Sequence, residues 1–312
     1  MALRSFEWTF MKKPIRKYEL KKSQDDAPVE RELTVPNVLL DAFDLFCNQR
    51  GIRWSWAHKP FPATSAQPRS IADIGATLLL KFTALDTAQY IMQRLSPVIN
   101  QPGGGSIFDP SLPLLPRVGG AALSAICGGV WSYSVVASLY YTAALIGRAL
   151  LCQPASEWPP ISHRPWLSTS VREFWSYRWH QFFRHFFVVF GARPGGALFG
   201  LPGAVMGAFA MSALIHHVGM WGVGYGTEFS TTGGFFLLMG VGVIMEDTFK
   251  RTTGLPVRGW LGWLWTMLWT TLWGIFMLDG WARHGMLGGD FFPDRLRPGK
   301  FLVNSVISLS SR

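Results

Sequence analysis

Residues 194–227 read PGGALFGLPGAVMGAFAMSALIHHVGMWGVGYGT, 34 positions without one Asp, Glu, Lys or Arg. About 20 apolar residues carry a helix across the hydrocarbon core of a bilayer, so this run points away from a water-soluble fold. Working outward, residues 118–147, 229–245 and 259–278 are also free of formal charge, the third of these four runs being at the short limit. A weaker span, 74–95, carries Lys81 and Asp86, which must turn towards other helices because lipid solvates neither. The whole chain agrees: 49% of its 312 residues are hydrophobic and only 15% charged, with 15 Trp and 23 Phe. These features predict an all-α polytopic membrane protein, a bundle of about five or more spanning helices with interfacial helices beside them.

The net charge of +10 raises the question of nucleic acid, but the basic residues are spread over loops rather than gathered on one face with interleaved aromatics. Membrane topology accounts for them better. Lys12, Lys13, Arg16, Lys17, Lys21 and Lys22 lie near the start, and residues 148–193 hold six Arg against two Glu. Excess Lys and Arg marks cytoplasmic segments, so both are expected in the cytosol. Five spans then put the basic tail, with Arg283, Arg295, Arg297, Lys300 and Arg312, on the opposite side, against the rule. Residues 1–20 are charged throughout and lack a 7–15-residue apolar core, so insertion is expected to begin at the first span rather than at a cleaved signal. Cys47, Cys127 and Cys152 are odd in number and lack CxxC spacing, which argues against a disulfide framework and a zinc site.

Three regions follow: a cytosolic or interfacial segment 1–70, a membrane-embedded domain 71–290 and a tail 291–312. Val38, Leu39, Ala42, Leu45 and Phe46 recur at helical spacing, predicting a surface helix over 35–49. Gly and Pro at high density in 101–116 and 153–165 mark loops. Ser170 with Glu173 three residues on resembles a capping box, predicting a helix over 171–190. On that helix His180 and Arg184 are four apart, as are Glu173 and Tyr177, while Trp175 and Trp179 share a flank. Glycines within the later spans, among them Gly200, Gly203, Gly207, Gly240 and Gly242, suit close helix packing in lipid.

Two groups carry chemistry. The segment SVREFWSYRWH, 170–180, gathers arginines, tryptophans and a histidine. It reads either as an interfacial anchor or as a ledge on which Arg172, Arg178 and Arg184 meet the phosphates of an anionic cosubstrate beside Trp175 and Trp179. His216 and His217, one turn after Ser212, read either as intramembrane histidines bonded to a neighbouring helix or as the site of a general base. Adjacent residues point about 100° apart on a helix, so one of the pair faces a given cavity and the two cannot ligate one ion from regular helix.

The segment WPPI at 158–161, SVREFWSYRWHQ at 170–181 and FAMSALIH at 209–216 resembles the wax-synthase-like branch of the membrane-bound O-acyltransferases, its fungal members in particular. RGIRWSW at 50–56, Glu246-Asp247 with Thr253-Gly254, and Asp279-Gly-Trp281 extend the resemblance over roughly residues 1–290. The chain is short for the branch, leaving some N-terminal spans unmatched, and Ala213 stands where Gly is commoner. The resemblance implies an endoplasmic-reticulum enzyme that moves an acyl group, acetyl in the fungal pattern, from acyl-coenzyme A to a hydroxyl of a lipophilic secondary metabolite. Fatty-alcohol acylation is the alternative. It assigns His216 as the base on the acceptor hydroxyl and His180 as the group that orients the thioester or steadies its oxyanion, with Ser212 and His217 behind them. Acyl-coenzyme A, the alcohol and the bilayer are the implied partners; no metal, tightly bound cofactor or nucleic acid is expected, and no Cys falls in the matched motifs, which favours direct transfer. Among other classes, diphosphate chemistry needs clustered carboxylates for Mg²⁺, but Asp73, Asp86, Glu246, Asp247 and Asp279 include no DxxxD pair. A transporter is expected to show internal repeats, and none is visible.

Overall fold

The local signals place the helices well. Ser70 caps its helix by accepting from the Asp73 amide (3.0 Å) while the Asp73 carboxylate accepts from the Ser70 amide (3.1 Å), satisfying two donors that a helix start leaves open. In a computed structural model describing residues 9, 15, 17–19, 29–30, 32, 34–48, 50–56 and 70–310, the helices are α1 (Val35–Cys47), α2 (Ile71–Leu95), α3 (Leu114–Ala149) and the short α4 (Val171–Glu173). They continue with α5 (Arg184–Phe186), α6 (Arg193–Gly222), α7 (Phe229–Thr253), α8 (Gly259–Arg283) and α9 (Pro298–Ser310). A two-residue strand pair, Tyr18–Glu19 with Val29–Glu30, is the sheet among the described residues. Lys12, Lys13, Arg16, Lys21 and Lys22 lie outside the described residues.

Among the described residues, four segments are long and apolar enough to cross a membrane: Leu114–Ala149, Arg184–Gly222, Phe229–Thr253 and Gly259–Arg283. The weaker span is there too, as the 25-residue α2 packed along α3. Its charged residues turn inward as expected. Asp86 is fully buried and accepts from Arg297 (2.9 Å) and from the Gly299 amide (2.8 Å), and the Lys81 ammonium lies 4.7 Å from the centre of the Tyr133 ring.

The deciding stretch does not fold as the single span that its lack of charge predicts. Drawn straight, the 39 residues of Arg184–Gly222 would reach about 58 Å, nearly twice a bilayer core of about 30 Å. The backbone leaves the helix at Phe199 (φ −132°, ψ 17°) and Gly200 (φ 63°, ψ −149°), the latter a region that only glycine occupies easily. The chain then doubles back. A Cβ at Gly195 would overlap the carbonyl of Gly203, and one at Gly191 would overlap that of Gly207. Four glycines thus form a seam along which limbs 184–198 and 201–222 lie backbone to backbone, the close approach that small residues permit in lipid.

This hairpin sets depth. Glu246, near the end of α7, bonds to Val171 and Arg172, and Trp263, near the start of α8, bonds to the Trp166 carbonyl (2.8 Å), so residues 166–172 sit where α7 ends and α8 begins. At the other end of the bundle the 101–107 loop meets the end of α8: the Gly105 amide donates to Ala282 (3.1 Å), and Asp279 accepts from Ser106 (2.7 Å) and Ile107 (2.9 Å). The 22 or so residues of limb 201–222, about 33 Å long, suit a full crossing. The seam pairs limb 184–198, running antiparallel, with the first half of that crossing, so residues 171–183 run into the bundle beside α7 and 184–198 run back along α6.

The tail packs back on the bundle: residues 287–300 lash onto α2. Arg297 is buried between Asp86 and Asp290 (2.7 Å), Gln89 donates to the carbonyls of Leu287 (3.1 Å) and Gly289 (2.5 Å), and α9 follows against the same helix. Arg283 pairs with Asp279 and Lys300 with Asp294. Three of the tail's cations, Arg283, Arg297 and Lys300, are therefore held by carboxylates.

The seam makes a testable demand. Gly207→Val places a branched side chain against the Gly191 carbonyl and should destabilise the protein by about 2–4 kcal/mol, whereas Gly219→Ala, with open space around it, should leave stability unchanged or raise it by up to about 1 kcal/mol. Thermal unfolding in detergent distinguishes them, and equal melting temperatures would refute the hairpin.

Candidate active site

The site forms where the descending segment meets α6 and α7. Its helix starts as the sequence predicts, with Ser170 accepting from the Glu173 amide (2.9 Å), while the Glu173 carboxylate closes on Thr169 through the amide (2.7 Å) and the hydroxyl (3.1 Å). It does not continue to residue 190. After Val171–Glu173 it widens into a π-helical turn, Phe174–Arg178, and Trp179 is extended (φ −71°, ψ 166°) before helix resumes at Arg184. The four-residue spacings of His180 with Arg184 and Glu173 with Tyr177 therefore do not make neighbours by helical register, and Tyr177 stacks instead on His163 (4.9 Å, 5°).

A backbone break at depth is tolerated only where protein satisfies its polar groups. Gln181, buried, does so here: its amide donates to the carbonyls of Trp175 (3.2 Å) and Trp179 (3.0 Å). The break swings Trp175 inward, its ring edge-on to Phe209 (6.0 Å), Phe235 (6.0 Å) and Phe236 (5.8 Å). Trp179 touches Trp175 (6.0 Å) and His180 (5.5 Å).

His216 enters from α6. Its ring lies 4.2 Å from that of Phe236, and Nδ1 is 2.8 Å from the Ser212 carbonyl oxygen. A carbonyl only accepts, so Nδ1 carries a proton, and in the neutral ring Nε2 keeps its lone pair. Ser212 thus serves through its backbone, one turn earlier, and its side chain is not in that bond. His180 and His216 come close enough to interact. Burial first and His216 second push the pKa of His180 down to about 3, leaving a neutral imidazole at ordinary pH. Its Nδ1 and the indole nitrogen of Trp175 are buried without a hydrogen-bond partner among the described residues. His217 points elsewhere, edge-on to Phe229 (5.4 Å, 85°).

The three arginines separate. Arg178 donates to Glu173 (2.7 Å) and to the carbonyls of His163 (3.1 Å) and Arg164 (3.4 Å), bracing the loop below it. Arg172 is exposed, 3.5 Å from Asp247, and Arg184 is exposed at the foot of the hairpin. The feature that sequence reasoning left out is the reach of Glu246. Its Oε1 accepts from the Val171 amide (2.6 Å) and the Trp265 indole (2.9 Å), and Oε2 accepts from the Arg172 amide (3.0 Å). The available signal was an acid closing an uncharged membrane run; its partners 75 residues upstream were not legible.

Residues 158–238, which include both His180 and His216, match the sequence model of the membrane bound O-acyl transferase family. The chain is 26% identical over 282 residues to the O-mevalon transferase MacI of Penicillium terrestre, covering 80% of this chain and 63% of that protein. It is 30% identical over 250 residues to the acetyltransferase EriL of Hericium erinaceus, covering 74% and 62%. With the acetyltransferase SpyB of Aspergillus fumigatus it shares 23% identity over 276 residues, covering 73% and 45%. The chain thus spans less than two thirds of the length of these relatives.

The state of His180 has a measurable consequence. Its folded pKa near 3 lies below the ordinary 6.5, so the unfolded chain takes up the proton first, and the stability contributed by neutral His180 is complete above about pH 6.5 and falls as pH drops towards 3. Between pH 7.5 and 5, wild-type protein in detergent should lose more thermal stability than His180→Gln; equal losses would show that His180 is not held neutral.

Proposed function

This chain belongs to the membrane-bound O-acyltransferase family, and on that premise we propose that it transfers an acyl group, acetyl first among the candidates, from acyl-coenzyme A to a hydroxyl of a lipophilic secondary metabolite such as a terpenoid or polyketide alcohol. The setting is a multi-pass position in a membrane, that of the endoplasmic reticulum in this reading. The observation that supports it is the bond of His216 Nδ1 to the Ser212 carbonyl at 2.8 Å, which holds the ring's proton on Nδ1 and, in the neutral ring, leaves Nε2 to accept one.

In this mechanism Nε2 of His216 takes the acceptor's hydroxyl proton as the oxygen attacks the thioester carbon. The C=O electron pair moves onto oxygen, and the tetrahedral oxyanion then re-forms the carbonyl by expelling the thiolate. The imidazolium returns its proton to that thiolate, so ester and free thiol are produced and the base is restored. Two donors are available to steady the oxyanion, neutral His180 and the Trp175 indole, in a setting of rings where water is scarce and a fixed dipole counts for more than in solution. Trp179 packs behind them. The donor's phosphates fall to the exposed Arg172 and Arg184, while Arg178, committed to Glu173 and two carbonyls, keeps the ledge in shape. His217, turned to Phe229, supports the helix rather than the reaction.

The relatives' names divide between acetyltransferase and O-mevalon transferase, so the acyl group is best decided by offering acetyl, mevalonyl and long-chain acyl thioesters to one preparation. Acetyl is expected to transfer fastest, and a long-chain preference would instead mark a fatty-alcohol acyltransferase. With the preferred donor, His216→Ala should lower turnover by on the order of 10² to 10⁴-fold with the protein still inserted, and His180→Ala by about tenfold or more. Turnover within twofold of wild type for His216→Ala would remove the base from the mechanism. Arg184→Ala should raise the Michaelis constant for the acyl donor and leave that for the alcohol unchanged.

A further inference from the structure

Glu246 lies on the membrane helix α7 yet spends its carboxylate on the descending segment. Both oxygens face donors: the amides of Val171 and Arg172, the first two residues of α4, and the Trp265 indole of α8. Two successive amides at a helix start are donors that the helix cannot use itself, and a carboxylate there also meets the positive end of the peptide dipoles. A helix as short as Val171–Glu173 has little stability of its own, so what holds its start comes from outside. A second contact works alongside the first. The Thr169 carbonyl lies where a Cβ on Gly262 would sit, wedging residues 169–172 between α7 and α8.

The same α7 carries the other end of the site. Phe235 and Phe236 receive the Trp175 ring, and Phe236 lies against His216. Helix α7 therefore acts as a ruler, anchoring the descending segment at Glu246 and meeting both Trp175 and His216 about ten residues earlier. Any slip of residues 171–172 along α7 would carry Trp175, Trp179 and His180 out of register with the base on α6. We infer that Glu246 is a positioning residue, whose bonds to the Val171 and Arg172 amides set the depth at which His180 faces His216. This rests on the acyl-transfer reading above.

Glu246→Gln tests it, because the amide keeps the volume but offers one acceptor oxygen and turns an N–H towards donors. Turnover per folded molecule should fall at least tenfold, while the Michaelis constants for acyl donor and alcohol stay within about threefold, since neither substrate touches Glu246. Folded protein is counted by monodisperse elution in detergent, so a loss explained by fewer folded molecules is separated from a loss of rate. Turnover per folded molecule within twofold of wild type overturns the inference. Should Glu246→Gln fail to fold, Ser170→Ala carries the test: it removes a further hydrogen bond holding the same turn (2.9 Å to the Glu173 amide) from outside the spanning helices. A several-fold fall in turnover at unchanged Michaelis constants is expected, and an unchanged rate overturns the inference. A wild-type chain that transfers no acyl group from any donor offered overturns the acyl-transfer reading and this one with it, whereas active wild type with an indifferent Glu246→Gln overturns the anchor alone.

Discussion

A peptide group that leaves a helix inside a bilayer finds no water to bond, and it must be satisfied by protein. The architecture around His180 depends on meeting that demand. Between Trp179 and Arg184 the chain abandons its helix, and the Gln181 amide takes up the carbonyls of Trp175 and Trp179. The glycine seam of the hairpin then returns the chain through a layer too thin for side chains. Without the first, the break would strand buried carbonyls at a cost of a few kcal/mol each. Without the second, limb 184–198 could not lie close enough to 201–222 to be sheltered. Together they let a connecting segment reach the depth of a histidine on a spanning helix.

Three buried acids follow one pattern: each holds a stretch of non-helical chain or a helix start against a helix. Asp86 holds the Arg297 turn, Asp279 holds the 106–107 turn, and Glu246 holds the 171–172 turn. An acid in an apolar helix can accept several hydrogen bonds at once, so one carboxylate can satisfy two or three donors that irregular backbone leaves open. The cost of placing a carboxylate at membrane depth is offset by those bonds. These acids are better understood as anchors for loops than as faults in the spans.

Spanning character was readable from the residues because length and apolarity are local quantities. Runs 118–147, 229–245 and 259–278 all fall in long helices, and even the weaker 74–95 is helical because Asp86 and Lys81 find partners inside the bundle. The surface helix near residue 35 and the Ser170 cap were equally legible. The continuous helix 171–190 was not. Its periodicity was sound, but periodicity does not register a π-helical turn whose freed carbonyls are taken by a side chain two positions beyond Trp179. The uncharged run 194–227 misled for a related reason. Absence of charge marks a segment as compatible with lipid and says nothing about its direction, and the reversal rests on one glycine at φ 63° with glycines four apart on either side.

The sequence by itself determined that this is an all-α membrane protein and that the chain resembles the O-acyltransferases, and it singled out His216 and the segment 170–181 as candidates. These follow from hydropathy, helix-capping residues and short motifs, all written within a few turns of chain. Only the tertiary structure decided which residues meet. It brought His180 to His216 across 36 positions, turned His217 away, divided Arg178 from Arg172 and Arg184, and joined Glu246 to the Val171 amide 75 residues before it. The reason is physical: depth in a bilayer is set by where backbone hydrogen bonds can be completed, and those partners come from distant parts of the chain.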